Sequence, residues 1–165
     1  MRRADREMDA AFAWGVADKC EYAVVSMSDR EGQPYSVPVT PARMGDCLYF
    51  HSAKEGTKTD LLRANPRVCV VCVGDTHRLT DQFTTEFESA VLFGEAEEVA
   101  DEEERIAAMR AICQRHCPAN MAHFGEELAR SMPRAAIWRI RVTSITGKRK
   151  KFDREGKEMT FGRME

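Results

Sequence analysis

The chain has 165 residues, 43% hydrophobic and 32% charged, with 25 Lys and Arg against 27 Asp and Glu for a net charge of −2. A chain of this size is expected to form one domain and to bury roughly 68–70% of its extended surface, and the composition excludes a disordered or a membrane-spanning chain. The balanced charge excludes nucleic-acid binding by bulk cationic attraction, though not a local basic patch. The six cysteines are unusual, but the opening MRRADREMDAAFAWG is charged and broken, with no apolar run for a signal peptide or a membrane span. The expectation is a cytoplasmic protein with reduced thiols.

In chain order, Ala4 to Asp18 is compatible with a helix carrying Met8 and Phe12 one turn apart. Tyr22 to Met27 is short, β-rich and apolar on both parities, as in a strand buried on both faces. Asp29-Arg30-Glu31-Gly32 supplies a turn. Tyr35, Val37 and Val39 alternate with Ser36, Pro38 and Thr40, a strand whose prolines favour a sheet edge. Met44-Gly45-Asp46 turns the chain again and Cys47 to His51 makes a third strand, so these three are expected to form an antiparallel meander.

Thr57 to Ala64 reads as a helix that Asn65-Pro66 closes, because proline disfavours helical geometry in the residue before it. Val68 to Val73 reads as a fully buried strand, Thr76 to Phe83 as a polar loop, and Thr84 to Val99 as a long strand. Asp101 and Glu104 stand at capping-box spacing, with Glu102 and Glu103 suiting a helix N-terminus. Ile106, Met109, Ile112 and His116 continue that helix to Pro118. Asn120 to Met132 reads as another helix. Ile137 to Ile145 alternates, with Trp138, Ile140 and Val142 on one side and Arg139, Arg141 and Thr143 on the other. The economical architecture is mainly β, an antiparallel barrel of about six strands with peripheral helices.

The stretch Phe50-His51-Ser52-Ala53-Lys54-Glu55-Gly56-Thr57-Lys58 carries the most chemistry. It lies where a strand gives way to a helix. Gly56 lets the backbone approach a ligand, the first helical turn presents unpaired N–H groups, and Lys54 and Lys58 add positive charge. This is the chemistry of a phosphate seat; an ordinary helix cap with surface lysines is the alternative reading of the same residues.

The segment YFHSAKEGTKTDLLRANPRVCVVCVGD resembles the pyridoxamine 5′-phosphate oxidase-like flavoproteins, and within them the nitroimidazole-resistance type. The resemblance continues in EYAVVSMSDREGQPYSVPV, FTTEFESAVLFGEAEEVADEEE and IWRIRVTSITGK, from about Met8 to Lys148. It implies an FMN-binding split barrel that works as a homodimer with the flavin at the subunit interface, and a small-molecule substrate, with no role for nucleic acid or membrane. It implies that Lys58 contacts the FMN phosphate, with Lys54 and Thr57 at the same turn. It places Phe50, His51 and Ser52 on the ribityl-phosphate side, and the backbone of Val37, Pro38, Val39 and Thr40 beside the isoalloxazine ring. Glu88 and Ser89 are implied to reach the flavin from the other subunit, and Trp138 to cover the ring. One departure is that Thr57-Lys58 stands where the phosphate oxidases have Arg-Lys. Another is that their substrate-phosphate arginines have no clear match, which argues against vitamin interconversion.

His51 is the candidate catalytic group, since an imidazole can move a proton near neutral pH; a histidine that only hydrogen-bonds the cofactor is the alternative. Cys113, His116 and Cys117 lie within one helical turn, but no further ligand pair stands at zinc spacing and no metal is expected. Cys69 and Cys72 point to opposite faces of a strand. Lys148-Arg149-Lys150-Lys151 reads as a solvated basic tail. The leading expectation is an FMN-dependent oxidoreductase reducing a small acceptor such as a nitro-aromatic. The competing ones are a non-catalytic flavin- or haem-binding module, a pyridoxamine 5′-phosphate oxidase-related enzyme, and a metal-using protein built on the Cys113 cluster.

Overall fold

The computed structural model describes residues 2–162. Its strands are β1 (Glu7–Met8), β2 (Ala23–Ser28), β3 (Pro34–Val39), β4 (Ala42–Met44), β5 (Cys47–Ala53), β6 (Arg67–Leu79), β7 (Thr84–Glu98) and β8 (Ala135–Lys150). Its α-helices are α1 (Ala10–Lys19), α2 (Thr57–Ala64), α3 (Glu102–His116) and α4 (Phe124–Ser131). All strand pairs are antiparallel, in the order β3-β2-β6-β7-β8-β5-β4, with β1 on β8. The path ends at β3 and β4, which are consecutive in the chain and joined only by Thr40 and Pro41. So short a link forces the sheet to curl until its two ends meet, giving an antiparallel barrel split at that seam.

The expected three-stranded meander does not form. β3 pairs with β2, but β5 pairs with β4 and β8 on the far side of the barrel. The sheet has eight strands rather than about six. Thr76–Leu79 is not loop but the outer half of β6, paired with Thr84–Phe87 beyond the core. The N-terminal helix starts late: Met8 lies in β1, and Asp9 caps α1 by accepting from Phe12 N. The segment expected as one helix from Asn120 is broken into a 3-10 turn (Pro118–His123), α4 and a second 3-10 turn (Met132–Arg134). The basic run is no tail, since Lys148, Arg149 and Lys150 are the paired end of β8.

Two packed regions position the site. The barrel interior holds Trp138, Phe50, Leu48, Ile140, Leu92, Val70 and Val25, plugged at one end by Ala13, Val16 and Ala17 of α1. Outside the barrel, Met109 of α3 and Phe124 of α4 pack on Tyr49 and Ile137. The first half of β8 and the middle of β5 are therefore buried on both faces, one by the interior and one by the helices. At the bulge where β7 meets β8, only glycine fits at Gly94, because a Cβ would come within 2.3 Å of the Arg141 carbonyl oxygen.

β2 and the inner half of β6, which read as strands buried on both faces, are not. In β2, β6 and β7 burial alternates. Val25, Val70 and Leu92 are inside, while Val24, Val71 and Val91 are half-buried and Val73 and Phe93 are 50% and 53% exposed. The outward side chains share one face across paired positions Val24–Val71–Val91 and Cys69–Phe93.

Candidate functional site

The end of β5 and the start of α2 form the predicted strand-to-helix turn. Gly56 makes it, with φ 121° and ψ 166°, a conformation closed to other residues. A Cβ there would meet nothing within 4 Å, so the requirement lies in the backbone and the space beside it is open. Asn65 then ends α2 in extended geometry ahead of Pro66, as the sequence implies.

Inside this turn, the Ala53 carbonyl accepts from Ser52 Oγ at 2.8 Å and from Thr59 Oγ1 at 3.1 Å. Thr59 is 1% exposed and ties α2 to the strand end. Ser52 also accepts the indole N–H of Trp138 at 3.1 Å. Its hydroxyl proton is thus directed to its own backbone, and a ligand would meet its remaining lone pair.

Lys58 is half-buried, with Nζ 5.6 Å from the centre of the Phe50 ring. Among the described residues no carboxylate lies within salt-bridge distance of it. Burial pushes its ammonium below the usual lysine range. A half-buried cation without an anion, beside the open N–H groups of a helix start, is a seat with the chemistry to hold a phosphate. Lys54 and Thr57 are exposed at the same turn.

On the other side of β5 lies a cavity of about 960 Å³. Thr40, His51 and Ser52 line it from the barrel, and Met109, Ile112, Cys113 and His116 from α3. Met121 and Phe124 complete the apolar part, while His123, Glu127, Arg130 and Arg134 give it a polar rim. His51 is exposed at this mouth, between the cavity and Lys58. Desolvation of its ring first, then the positive charge of Lys58 and the proximity of the His116 ring, push its imidazole below the ordinary value. The ring is therefore neutral at pH 7 and can accept a proton or donate one hydrogen bond.

The structure brings Thr40, His51 and Ser52 to one cavity and sets Lys58 and Phe50 next to it. Val37 is half-buried, Pro38 exposed and Val39 buried on the edge strand β3, which leads into Thr40. Phe50 and Trp138 are each 1% exposed and stacked in the core at 6.5 Å, so Trp138 reaches the turn only through Ser52 and presents no ring face at the surface. Glu88 turns inward, paired with Lys19 and, at 3.3 Å, with Arg149 of its own chain. Ser89 lies half-buried on the outward apolar face.

Cys113, His116 and Cys117 all line the cavity, yet among the described residues no cluster of three or more His, Cys, Asp or Glu side chains can hold a metal. All six cysteines are free thiols. Sequence reasoning missed Thr59 and Arg115. The Arg115 guanidinium donates to the Pro41 carbonyl at 2.7 Å, on the link that leads out of β3. A charged residue in a helix reads as solvent-facing, so nothing in the pattern signalled this.

The sequence profile of the pyridoxamine 5′-phosphate oxidase family matches residues 9–149. The chain belongs to that family. Among solved structures, a Bacteroides thetaiotaomicron protein provisionally assigned to 5-nitroimidazole antibiotic resistance is 26% identical, with a TM-score of 0.74 over 86% of this chain and 85% of that one. A FAD-binding protein from Mesorhizobium loti is 21% identical, with a TM-score of 0.64 over 88% and 98%. A FAD- and haem-binding protein from Mycobacterium smegmatis is 18% identical, with a TM-score of 0.73 over 96% and 84%. The last two show the shared fold. No match was found among curated proteins. Among the described residues, no helix of this family member is long and apolar enough to cross a membrane.

Proposed function

We propose that the chain is an FMN-dependent oxidoreductase of the nitroimidazole-resistance type, reducing a small acceptor such as a nitro-aromatic compound. The observation that carries this is Lys58, a half-buried cation with no carboxylate partner among the described residues, beside the Gly56 turn that begins α2. A flavin phosphate would supply the missing negative charge. The flavin, when bound, would supply the hydride chemistry. The protein's part would be to anchor the phosphate with Lys58 and the α2 amides, and to lay the Val37–Thr40 backbone along the ring. The cavity beside His51 would hold the acceptor, and neutral His51 would position it or exchange a proton with it. The FAD-binding relative supports a flavin in this fold, and the 26% identical relative supports the acceptor class.

The active unit in this reading is a homodimer. The outward face carrying Val24, Val71, Val73, Val91 and Phe93 is a contiguous apolar sheet surface that one chain leaves uncovered, and a second copy would cover it. Six free thiols suit a reducing compartment such as the cytoplasm.

The test is the visible spectrum of purified protein before and after adding FMN or FAD. Flavin bands that survive desalting, and that Lys58→Glu abolishes, are expected. Colourless protein that takes up no flavin overturns the proposal. A second reading, a haem-binding module, is favoured by one observation: the cavity is lined by His51, His116 and His123 together with Met109 and Met121. A Soret band on adding haemin, with no flavin uptake, would select it.

A further inference from the structure

Arg115 makes an unusual set of contacts. Its Nη1 donates to the Pro41 carbonyl at 2.7 Å, and its Nη2 donates to the carbonyls of Ala17 at 2.9 Å and Cys20 at 2.7 Å. One side chain of α3 thereby joins the C-terminal end of α1, where exposed carbonyls favour a cation, to the two-residue link between β3 and β4. Its neighbour His116 donates Nε2–H to the same Pro41 carbonyl at 2.9 Å. Among the described residues no carboxylate pairs with the Arg115 guanidinium. Its charge is answered by carbonyl oxygens and, at 3.6 Å, by the Cys20 sulfur.

The place of this clamp gives it meaning. The Thr40–Pro41 link is the seam of the split barrel, where the sheet path ends on both sides and no strand pairing holds the backbone. Pro41 is almost fully buried and has no N–H to offer, so its carbonyl is the only backbone group through which it can be fixed. Thr40, just before it, is exposed and lines the cavity. An unpaired seam is the part of a barrel most free to shift, and a ligand laid along its backbone would sense such a shift directly.

We propose that Arg115 is a positioning residue that, with His116, fixes the Thr40–Pro41 backbone along which a bound flavin would be held. The proposal rests on the flavin reading above. A planar fork is needed, because three carbonyls on two elements must be reached from one rigid group; a lysine ammonium is a single point and cannot reproduce that span. His116 supplies one more N–H donor, so a glutamine amide in its place can substitute for it and an alanine cannot.

The experiment compares wild type with Arg115→Lys, His116→Ala and His116→Gln by backbone hydrogen exchange and by FMN binding. In Arg115→Lys and His116→Ala the amides of Val39 and Ala42, the paired residues on either side of the link, are expected to exchange about tenfold faster, FMN affinity to fall about tenfold, and the visible circular dichroism of bound FMN to change. His116→Gln is expected to restore all three. A clamp serving stability alone would lower the unfolding midpoint yet leave affinity and the flavin dichroism at wild-type values, and that result overturns the proposal. Should Arg115→Lys fail to fold, the His116 pair decides by the same readouts. Wild-type protein that takes up no flavin overturns the underlying reading; wild-type protein that binds flavin while the folded variants bind it equally well overturns this proposal alone.

Discussion

Trp138 donates its indole N–H to the Ser52 hydroxyl at 3.1 Å, so the largest side chain of the barrel core hydrogen-bonds the next-to-last residue of β5 at the candidate site. Both groups are buried, and Ser52 in turn donates to Ala53 O, which also receives Thr59. The core thereby fixes the height of the β5–α2 turn. Trp138→Phe would keep most of the apolar contact with Phe50 but remove this donor and leave a gap beside Ser52. A loss of about 2 kcal/mol is expected, about 1 from the hydrogen bond and the remainder from the lost ring volume. Urea unfolding measures it; an unchanged midpoint would show that the bond contributes nothing.

Gly56→Ala tests the turn itself. The position has φ 121°, and the added Cβ would touch nothing. The substitution therefore carries a backbone cost with no steric one, about 1–3 kcal/mol. The alternative is that the turn relaxes to an allowed conformation and moves the start of α2. Urea unfolding reports the first outcome and amide shifts of Thr57 and Lys58 the second. A variant with wild-type midpoint and wild-type shifts would remove the argument that glycine is required there.

Much of this turn was legible in the sequence because its signals are local. Asn65-Pro66 fixes the end of α2, and Gly56 marks the turn at which α2 starts. The capping signal at Asp101 was half right: Asp101 accepts from Glu104 N at 2.8 Å, but the Glu104 carboxylate turns away to Tyr49 and Arg139. Pairing was illegible where it is non-local. Nothing in Cys47–His51 says that its partner is β8, and the polar Thr76–Leu79 is a strand only because Thr84–Phe87 returns beside it. Arg115 was invisible because its partners are backbone carbonyls, which leave no trace in side-chain patterns.

His51 predicts a pH dependence of known sign. Desolvation, Lys58 and His116 hold its folded pKa below 6.5. Above pH 6.5 the ring is neutral in folded and unfolded chains alike. As pH falls from 6.5 toward the lowered folded value, the unfolded chain binds the proton first, so stability falls across that window. An NMR titration of the His51 ring should give a midpoint below 6.5, and Lys58→Met should move it upward by removing the positive charge. A midpoint at or above 6.5, or one indifferent to Lys58→Met, would contradict the placement of Lys58 beside the ring.

Lys58→Met makes a second prediction with an opposite sign for folding and for binding. At neutral pH the unfolded lysine is charged without penalty, while the folded one is charged against its surroundings, as its lowered pKa records. Removing it should leave the stability of flavin-free protein within about 0.5 kcal/mol of wild type, or raise it. FMN affinity should fall about tenfold or more, the scale of one charge-assisted contact to phosphate. Chemical unfolding and flavin titration measure the two. A variant that loses stability but keeps its affinity would make Lys58 a structural residue.

The outward face of β2, β6 and β7 supplies the last prediction. Phe93 is 53% exposed and Val73 50%, with Val24, Val71 and Val91 half-covered between them. Isolated exposed apolar residues are ordinary, but these are aligned across three paired strands, so a second copy of the same face would remove them from water together. A charge at the centre of such a face would have to be desolvated without a partner. Wild-type protein is expected to show twice the chain's mass by light scattering, and Phe93→Lys the mass of one chain. Because Phe93 gains little burial within its own chain, the separated Phe93→Lys chain should keep its circular dichroism. It should also bind FMN less tightly if the second copy completes the flavin site. Phe93→Lys protein that remains a dimer would move the interface elsewhere on the barrel, and a wild type of single-chain mass would remove the dimer from the functional reading.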